Sequence, residues 1–215
     1  MTQLLHVIGS PRQAQSRSAL IAGPLIDSWR ASDPGLSVDT LDLWREPLPE
    51  FDGHYAAAKM AVITGAALDA QTQPAWHTIE QIVARFMAAD AYLFTVPMWN
   101  GGIPYRLKHY IDLLMQPKLL FSFDPVSGYR GLLQGKRAAT IYTSGVFEPG
   151  VPAAFGQDFH STYLEWWLTA IGIRRIETVR YQPTLRTADP EQRLQQAITD
   201  ARLAASRLAS ASATP

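Results

Sequence analysis

Apolar positions along this chain fall into short compact runs and longer stretches with a helical repeat, and the two kinds alternate. Residues 4–8 and 91–96 are short apolar runs, and residues 136–143 and 173–181 are strand-like segments closed by hydroxyl or aromatic residues. An unbroken apolar run predicts a strand covered on both faces. In residues 36–43, Leu36, Val38, Thr40 and Asp42 alternate with Ser37, Asp39, Leu41 and Leu43, the pattern of a strand near a sheet edge. Helical spacing links Ile21, Leu25, Ile26 and Trp29, then Ile79, Ile82, Val83 and Phe86 after Pro74. It recurs in Ile103, Leu107, Tyr110, Ile111 and Leu114 after Pro104, where proline suits a first helical turn. Phe159, Tyr163, Trp166, Trp167 and Ala170 mark a helix with an aromatic face, closed by Gly172. Leu194, Ile198, Ala201, Ala205 and Leu208 mark the last helix, which opens at Asp189-Pro190. On the exposed side of the helix after Pro104, Lys108 and Asp112 are one turn apart and suited to pair.

Two stretches resist this reading. Residues 44–73 begin as an extended Pro47-Leu48-Pro49 segment and become alanine-rich enough for a helix over 55–68. Residues 121–131 read as a turn-rich excursion whose Phe121, Phe123 and Tyr129 either cap a flat ligand or anchor their own loop. The Gly131 to Arg137 stretch resembles a phosphate loop superficially, but it precedes a strand and has the wrong glycine spacing, so it is set aside.

Strands alternating with helices five times over imply an α/β fold, a three-layer sandwich around a parallel sheet. The expected strand order is 2-1-3-4-5, which reverses between strands one and three. At such a switch point the loops after strands one and three diverge and leave a crevice, flanked by the loop after strand four. Those loops are residues 10–18, 97–102 and 144–147. The first carries Ser10, Ser16, Arg17 and Ser18 ahead of a helix N-terminus, a setting that favours an anion. Read alone, Ser16 and Ser18 are explained as helix caps. The second, Pro97-Met98-Trp99-Asn100-Gly101-Gly102, either merely connects a strand to a helix or offers exposed main chain and an amide to a flat ligand. The third, Ser144-Gly145-Val146-Phe147, offers small N–H donors. A ligand with a phosphate at one end and a planar polar ring at the other satisfies all three loops, and FMN has that shape.

Composition narrows the field. The chain has 215 residues, 47% of them hydrophobic, enough for one substantial core. A single domain over residues 1–208 is expected, followed by a disordered Ser/Ala/Thr tail at 209–215. Basic and acidic residues balance at 19 each, so no overall field attracts nucleic acid or an anionic membrane. Cysteine is absent, which excludes disulfides and thiolate chemistry. No histidine grouping has metal-ligand spacing. The N-terminus has no signal-peptide pattern and no segment reaches membrane-span length, so a cytoplasmic protein is expected.

The sequence Gly9-Ser10-Pro11 with Ser16-Arg17-Ser18, then residues 97–104 with Leu107-Lys108-His109-Tyr110-Ile111-Asp112, then Gly135-Lys136-Arg137 through Thr143-Ser144-Gly145, resembles the flavodoxin-like NAD(P)H:quinone reductases and FMN-dependent NADH azoreductases. The resemblance implies a homodimer with one FMN per subunit and active sites completed by the partner chain. It implies that Ser10, Ser16, Arg17 and Ser18 hold the phosphate. It places Pro97, Met98, Trp99, Asn100 and Gly101 around the isoalloxazine, with Ser144, Gly145, Val146 and Phe147 on the other side. Trp99 and Gly101-Gly102 depart from the azoreductase pattern toward that of the mammalian-type quinone reductases. The implied activity is ping-pong hydride transfer from NADH or NADPH through FMN to a quinone, with azo compounds as a further acceptor class. No catalytic side chain is required, because the cofactor carries the chemistry. His160 reads as a surface or capping histidine, with donation to a substrate oxygen as the alternative. Two rivals remain: a flavodoxin-type electron carrier that docks to proteins, and a protein of the same fold that binds no flavin. A carrier relies on a charged docking surface, which zero net charge does not support.

Overall fold

The computed structural model describes residues 1–210. Five parallel strands, β1 (Gln3–Ile8), β2 (Ser37–Asp42), β3 (Ala91–Pro97), β6 (Arg137–Thr143) and β7 (Arg175–Tyr181), form one sheet in the order β2-β1-β3-β6-β7. This is the order expected from the sequence, with β6 and β7 as the fourth and fifth strands. Between β3 and β6 a separate antiparallel hairpin, β4 (Phe121–Asp124) and β5 (Gly128–Gly131), occupies the turn-rich excursion. The Asp124 carboxylate shapes its turn, accepting the N–H groups of Val126 and Ser127 at 3.0 and 2.8 Å.

Side-chain alternation on the strands divides the core in two. Leu4, Leu93, Ile141 and Val179 face α1 (Ala19–Ser32) and α6 (Pro190–Ser210), where Ile21, Leu25, Trp29, Ala201 and Leu208 are buried against them. Leu5, Val7, Tyr92, Phe94 and Tyr142 face the other layer, built from α2 (Gly53–Thr64), α3 (Thr72–Ala88), α4 (Tyr105–Leu114) and α5 (Ser161–Ala170). The chain therefore leaves β1 toward one face and β3 toward the other. Strand β2 is one of the two edge strands, yet the chain there meets core on both sides: Val38 and the preceding Leu36 join the α1 layer, and Leu41 and the following Leu43 the opposite one.

Three local features refine the sequence reading. Gly131 is required by a backbone crossing, since a Cβ there would lie 2.2 Å from the Gly172 nitrogen. The aromatic residues of α5 do not share a face: Trp167 is in the core, while Trp166 is 59% and the preceding Phe159 63% exposed. Helix α6 continues to Ser210, two residues past the expected domain end, and the remainder of the expected tail lies outside the described residues. Among the described residues no helix is long and apolar enough to cross a membrane.

Candidate active site

Ladder hydrogen bonds carry β1, β3 and β6 to a common C-terminal edge. Ile8 pairs with Thr95 and Pro97 with Thr143, and the ladder runs one residue further, with Gly9 N donating to Thr95 O at 2.9 Å and Met98 N to Thr143 O at 2.7 Å. The loops at 10–18, 97–102 and 144–147 thus spring from three neighbouring strands at the point where the strand order reverses.

In the first loop Ser10, Ser16 and Ser18 are all nearly fully buried. Ser16 and Ser18 bond to each other, Oγ to Oγ at 2.9 Å, and Ser10 Oγ accepts the Arg12 N–H at 3.3 Å. Ser18 occupies the N-cap position of α1, but its hydroxyl makes no capping bond. Capping therefore does not explain this serine. The N–H groups of Ser10, Arg17 and Ser18 find no acceptor within the described chain. Buried hydroxyls beside unpaired N–H groups at a helix start are a setting for an anion, since each such group otherwise carries a desolvation cost. The Arg17 guanidinium points elsewhere, donating to Tyr181 OH at 3.1 Å, so the main-chain N–H is what Arg17 offers here. The Arg12 side chain is exposed and makes no hydrogen bond or ion pair among the described residues.

The second loop is a tight two-residue turn. Trp99 and Gly102 exchange both main-chain hydrogen bonds, at 2.8 and 2.9 Å, while Asn100 and Gly101 adopt φ of 50° and 83°. Asn-Gly is the pair best suited to two successive left-handed residues. A Cβ on Gly101 would lie 3.2 Å from Gln157 O and 3.6 Å from Phe159 Cδ2, so glycine is required there by dihedral angle and by packing on residues 157–159. The N–H groups of Asn100 and Gly101 and the Asn100 amide make no hydrogen bond in the described chain.

In the third loop every carbonyl from 144 to 146 is engaged from one side. Thr184 N donates to Ser144 O and Leu185 N to Gly145 O, both at 2.8 Å, and Arg186 Nε donates to Val146 O at 3.1 Å. Ser144 Oγ donates to Phe147 O across the loop. Arg186 and Arg193 clamp Glu148 at 2.7 and 2.9 Å. With its carbonyls held back, the loop leaves the N–H groups of Gly145, Val146 and Phe147 without acceptors. Such a fixed row of donors can stabilise negative charge without rearranging.

Two residues outside the expected set support these loops. His160 is fully buried, which corrects its reading as a surface residue. Its Nε2 lies 3.0 Å from Val96 O, so Nε2 carries the proton, and its ring meets Tyr142 edge-on at 4.7 Å. Burial holds its pKa down to about 4, with the neighbouring Asp158 opposing the shift, and keeps the imidazole neutral at pH 7. Trp44, from the stretch that the hydrophobic pattern left unread, donates its indole N–H to Gly9 O at 3.0 Å. Its ring centroid is 5.5 Å from those of both Trp99 and Tyr105. Alongside the Trp99–Gly102 turn lies a cavity of ≈ 600 Å³, walled by Trp99, Ile103, Tyr105, Phe159 and Tyr163 with the Lys108–Asp112 pair at its rim.

A parallel sheet of this order, with an anion-ready loop after its first strand and donor-rich loops after the third and fourth, defines a flavodoxin-like protein. Residues 2–204 match the family described as Flavodoxin-like fold. A protein of Ruegeria pomeroyi named FMN-dependent NADH:quinone oxidoreductase is 52% identical over 89% of this chain and 94% of its own length. One of the same name from Desulfotalea psychrophila is 41% identical over 90% of this chain and 91% of its own. An FMN-dependent NADH-azoreductase from Bacillus anthracis, solved in complex with FMN, superimposes with a TM-score of 0.83 at 25% identity, covering 97% of this chain and all of its own. The chain belongs to this flavodoxin-like family, alongside relatives named as FMN-dependent NADH:quinone oxidoreductases.

Proposed function

We propose that this chain is an FMN-dependent NADH:quinone oxidoreductase. The observation that carries the reading is the juxtaposition, at one sheet edge, of buried Ser10, Ser16 and Ser18 with two further loops whose N–H groups lack intrachain acceptors. These residues fit FMN. The serine hydroxyls and the N–H groups of Ser10, Arg17 and Ser18 hold the phosphate at the start of α1. Pro97, Met98, Trp99, Asn100 and Gly101 line the ring, with Asn100 supplying an amide and main-chain N–H to its polar edge. Ser144, Gly145, Val146 and Phe147 face it from the β6 side, where the unpaired N–H groups stabilise negative charge.

When bound, FMN supplies a two-electron carrier between a nicotinamide and an acceptor. The protein orients both reactants and excludes water. Trp99, Tyr105, Phe159 and Tyr163 give the neighbouring cavity flat apolar walls, suited to an aromatic reactant. One such cavity supports alternating occupancy, nicotinamide first and quinone second, which is a ping-pong scheme. NADH is the donor in the relatives' names, and NADPH is a second donor to test. Azo compounds form a second acceptor class, supported by the azoreductase names of the structural neighbours. Exposed Phe159, Trp166 and Tyr105 support a homodimer, because aromatics unprotected from water favour burial between subunits. The cytoplasm, where reduced nicotinamides are held, is the compartment that this chemistry implies. Quinones, not nucleic acid or membrane, are the partners of the site.

Anaerobic addition of NADH to the FMN-loaded protein tests the reading. Bleaching of the flavin absorbance by NADH alone, followed by its recovery when a quinone is added, is the expected result. Protein that bleaches only when a reductase partner is supplied would instead be an electron carrier.

A further inference from the structure

We infer that Trp44 is a positioning residue that ties the two halves of the cofactor site together, its indole N–H fixing the phosphate loop and its ring fixing the isoalloxazine loop. The inference rests on the FMN reading above and adds a residue outside the three loops.

Gly9 is held from two sides. Its N–H bonds to Thr95 O on β3 at 2.9 Å, and its carbonyl accepts the Trp44 indole at 3.0 Å. A planar trans peptide points the carbonyl of one residue opposite to the N–H of the next. Anchoring Gly9 O therefore sets the direction of the Ser10 N–H, which has no acceptor in the described chain and opens the phosphate loop. Loss of the indole bond would free this peptide to rotate and would turn a carbonyl dipole loose beside an anion.

The ring of Trp44 acts on the other loop. It meets Trp99 at 5.5 Å with a 44° tilt and Tyr105 edge-on at 5.5 Å, packing the Trp99–Gly102 turn against the start of α4. Trp44 is itself clamped. Its own N–H donates to Asp42 Oδ1 at 3.0 Å, and Arg106 on α4 lies 5.8 Å over its ring while bonding Leu43 O at 2.7 Å and Glu46 O at 3.0 Å. A tryptophan acting only as apolar filler would not need its N–H; here that group is directed at the one carbonyl preceding Ser10.

The experiment compares FMN with riboflavin, which lacks the phosphate, in equilibrium titrations of wild type, Trp44→Phe and Trp44→Leu in the full chain. Phenylalanine keeps an aromatic ring and removes the N–H, so FMN affinity should fall roughly fivefold while riboflavin affinity stays unchanged. Leucine removes both contributions, and both affinities should fall. A Trp44→Phe protein that binds both flavins as wild type does, or that loses both equally with a lowered melting temperature, would overturn the inference and leave the FMN reading standing. Wild-type protein that takes up no FMN would overturn that reading itself, before any variant is compared.

Discussion

The imidazole Nε2 of His160 donates to the carbonyl oxygen of Val96 at 3.0 Å, joining the start of α5 to the last buried residue of β3, directly ahead of the Pro97 loop. Residues 96 and 160 are far apart in sequence, and the loop after β3 is held from two sides, by its own strand and by residues 157–159 leading into α5, where Phe159 N donates to Gly101 O at 3.0 Å.

The bond to Val96 O would survive protonation, but burial disfavours the charged imidazole, and this gives the site a pH dependence of definite sign. Burial lowers the pKa of His160 and of His6 from 6.5 to about 4. Between those values the unfolded chain binds protons that the folded chain does not, so stability is full above pH 6.5 and falls as the pH drops toward 4. Each histidine should remove roughly 1–2 kcal/mol by pH 5. His160→Gln retains a donor for Val96 O without titrating, so its stability should fall less between pH 7 and pH 5 than that of wild type in urea unfolding. An equally steep fall would show that His160 does not contribute.

The Trp99–Gly102 turn separates backbone demands from ligand demands. Asn100→Gly preserves a left-handed φ and removes the amide, so melting should change little and FMN affinity should fall about three- to tenfold. Asn100→Val places a β-branched residue at φ of 50° and should cost about 1–2 kcal/mol of stability with or without flavin. Gly101→Leu would clash with Gln157 and Phe159 in the ligand-free protein, so its flavin content would report on folding as well as on the ring. Asn100→Gly is the informative substitution, and unaltered FMN affinity in it would remove Asn100 from the site.

Trp166 and Phe159 are the exposed aromatics that the α5 pattern placed on one face with Trp167. If they meet a second copy of this chain, Trp166→Arg should weaken the dimer by about 2 kcal/mol, near a 30-fold rise in its dissociation constant. Analytical ultracentrifugation across a concentration series reads this directly. A wild-type protein that sediments as a monomer throughout would refute the proposal.

The sheet was legible because its evidence is local. Buried strands such as 91–96 are apolar at every position but Thr95, and Gly9-Ser10, Asn100-Gly101 and Ser144-Gly145 mark where strands end. What was not legible depends on distant partners. His160 carries no local sign of burial, since its acceptor is on β3 and its ring contact on β6. Trp44 sits in a polar, proline-rich stretch, and its role arises only when Gly9, Trp99 and Arg106 converge on it. Helix α2 buries only Ala58 fully, so it has little apolar stripe to read. Strands β4 and β5 are four residues each, too short for alternation to register.

The phosphate bound by residues 10–18 is, on the proposed function, that of a flavin. Parallel titrations of wild type and Ser16→Ala/Ser18→Ala with FMN and with riboflavin test this most directly. Removing two hydroxyls that bond a charged group should weaken FMN by roughly 10- to 100-fold and leave riboflavin unaffected. Equal affinities for the two flavins in wild type, or an FMN affinity that the double substitution does not change, would contradict it.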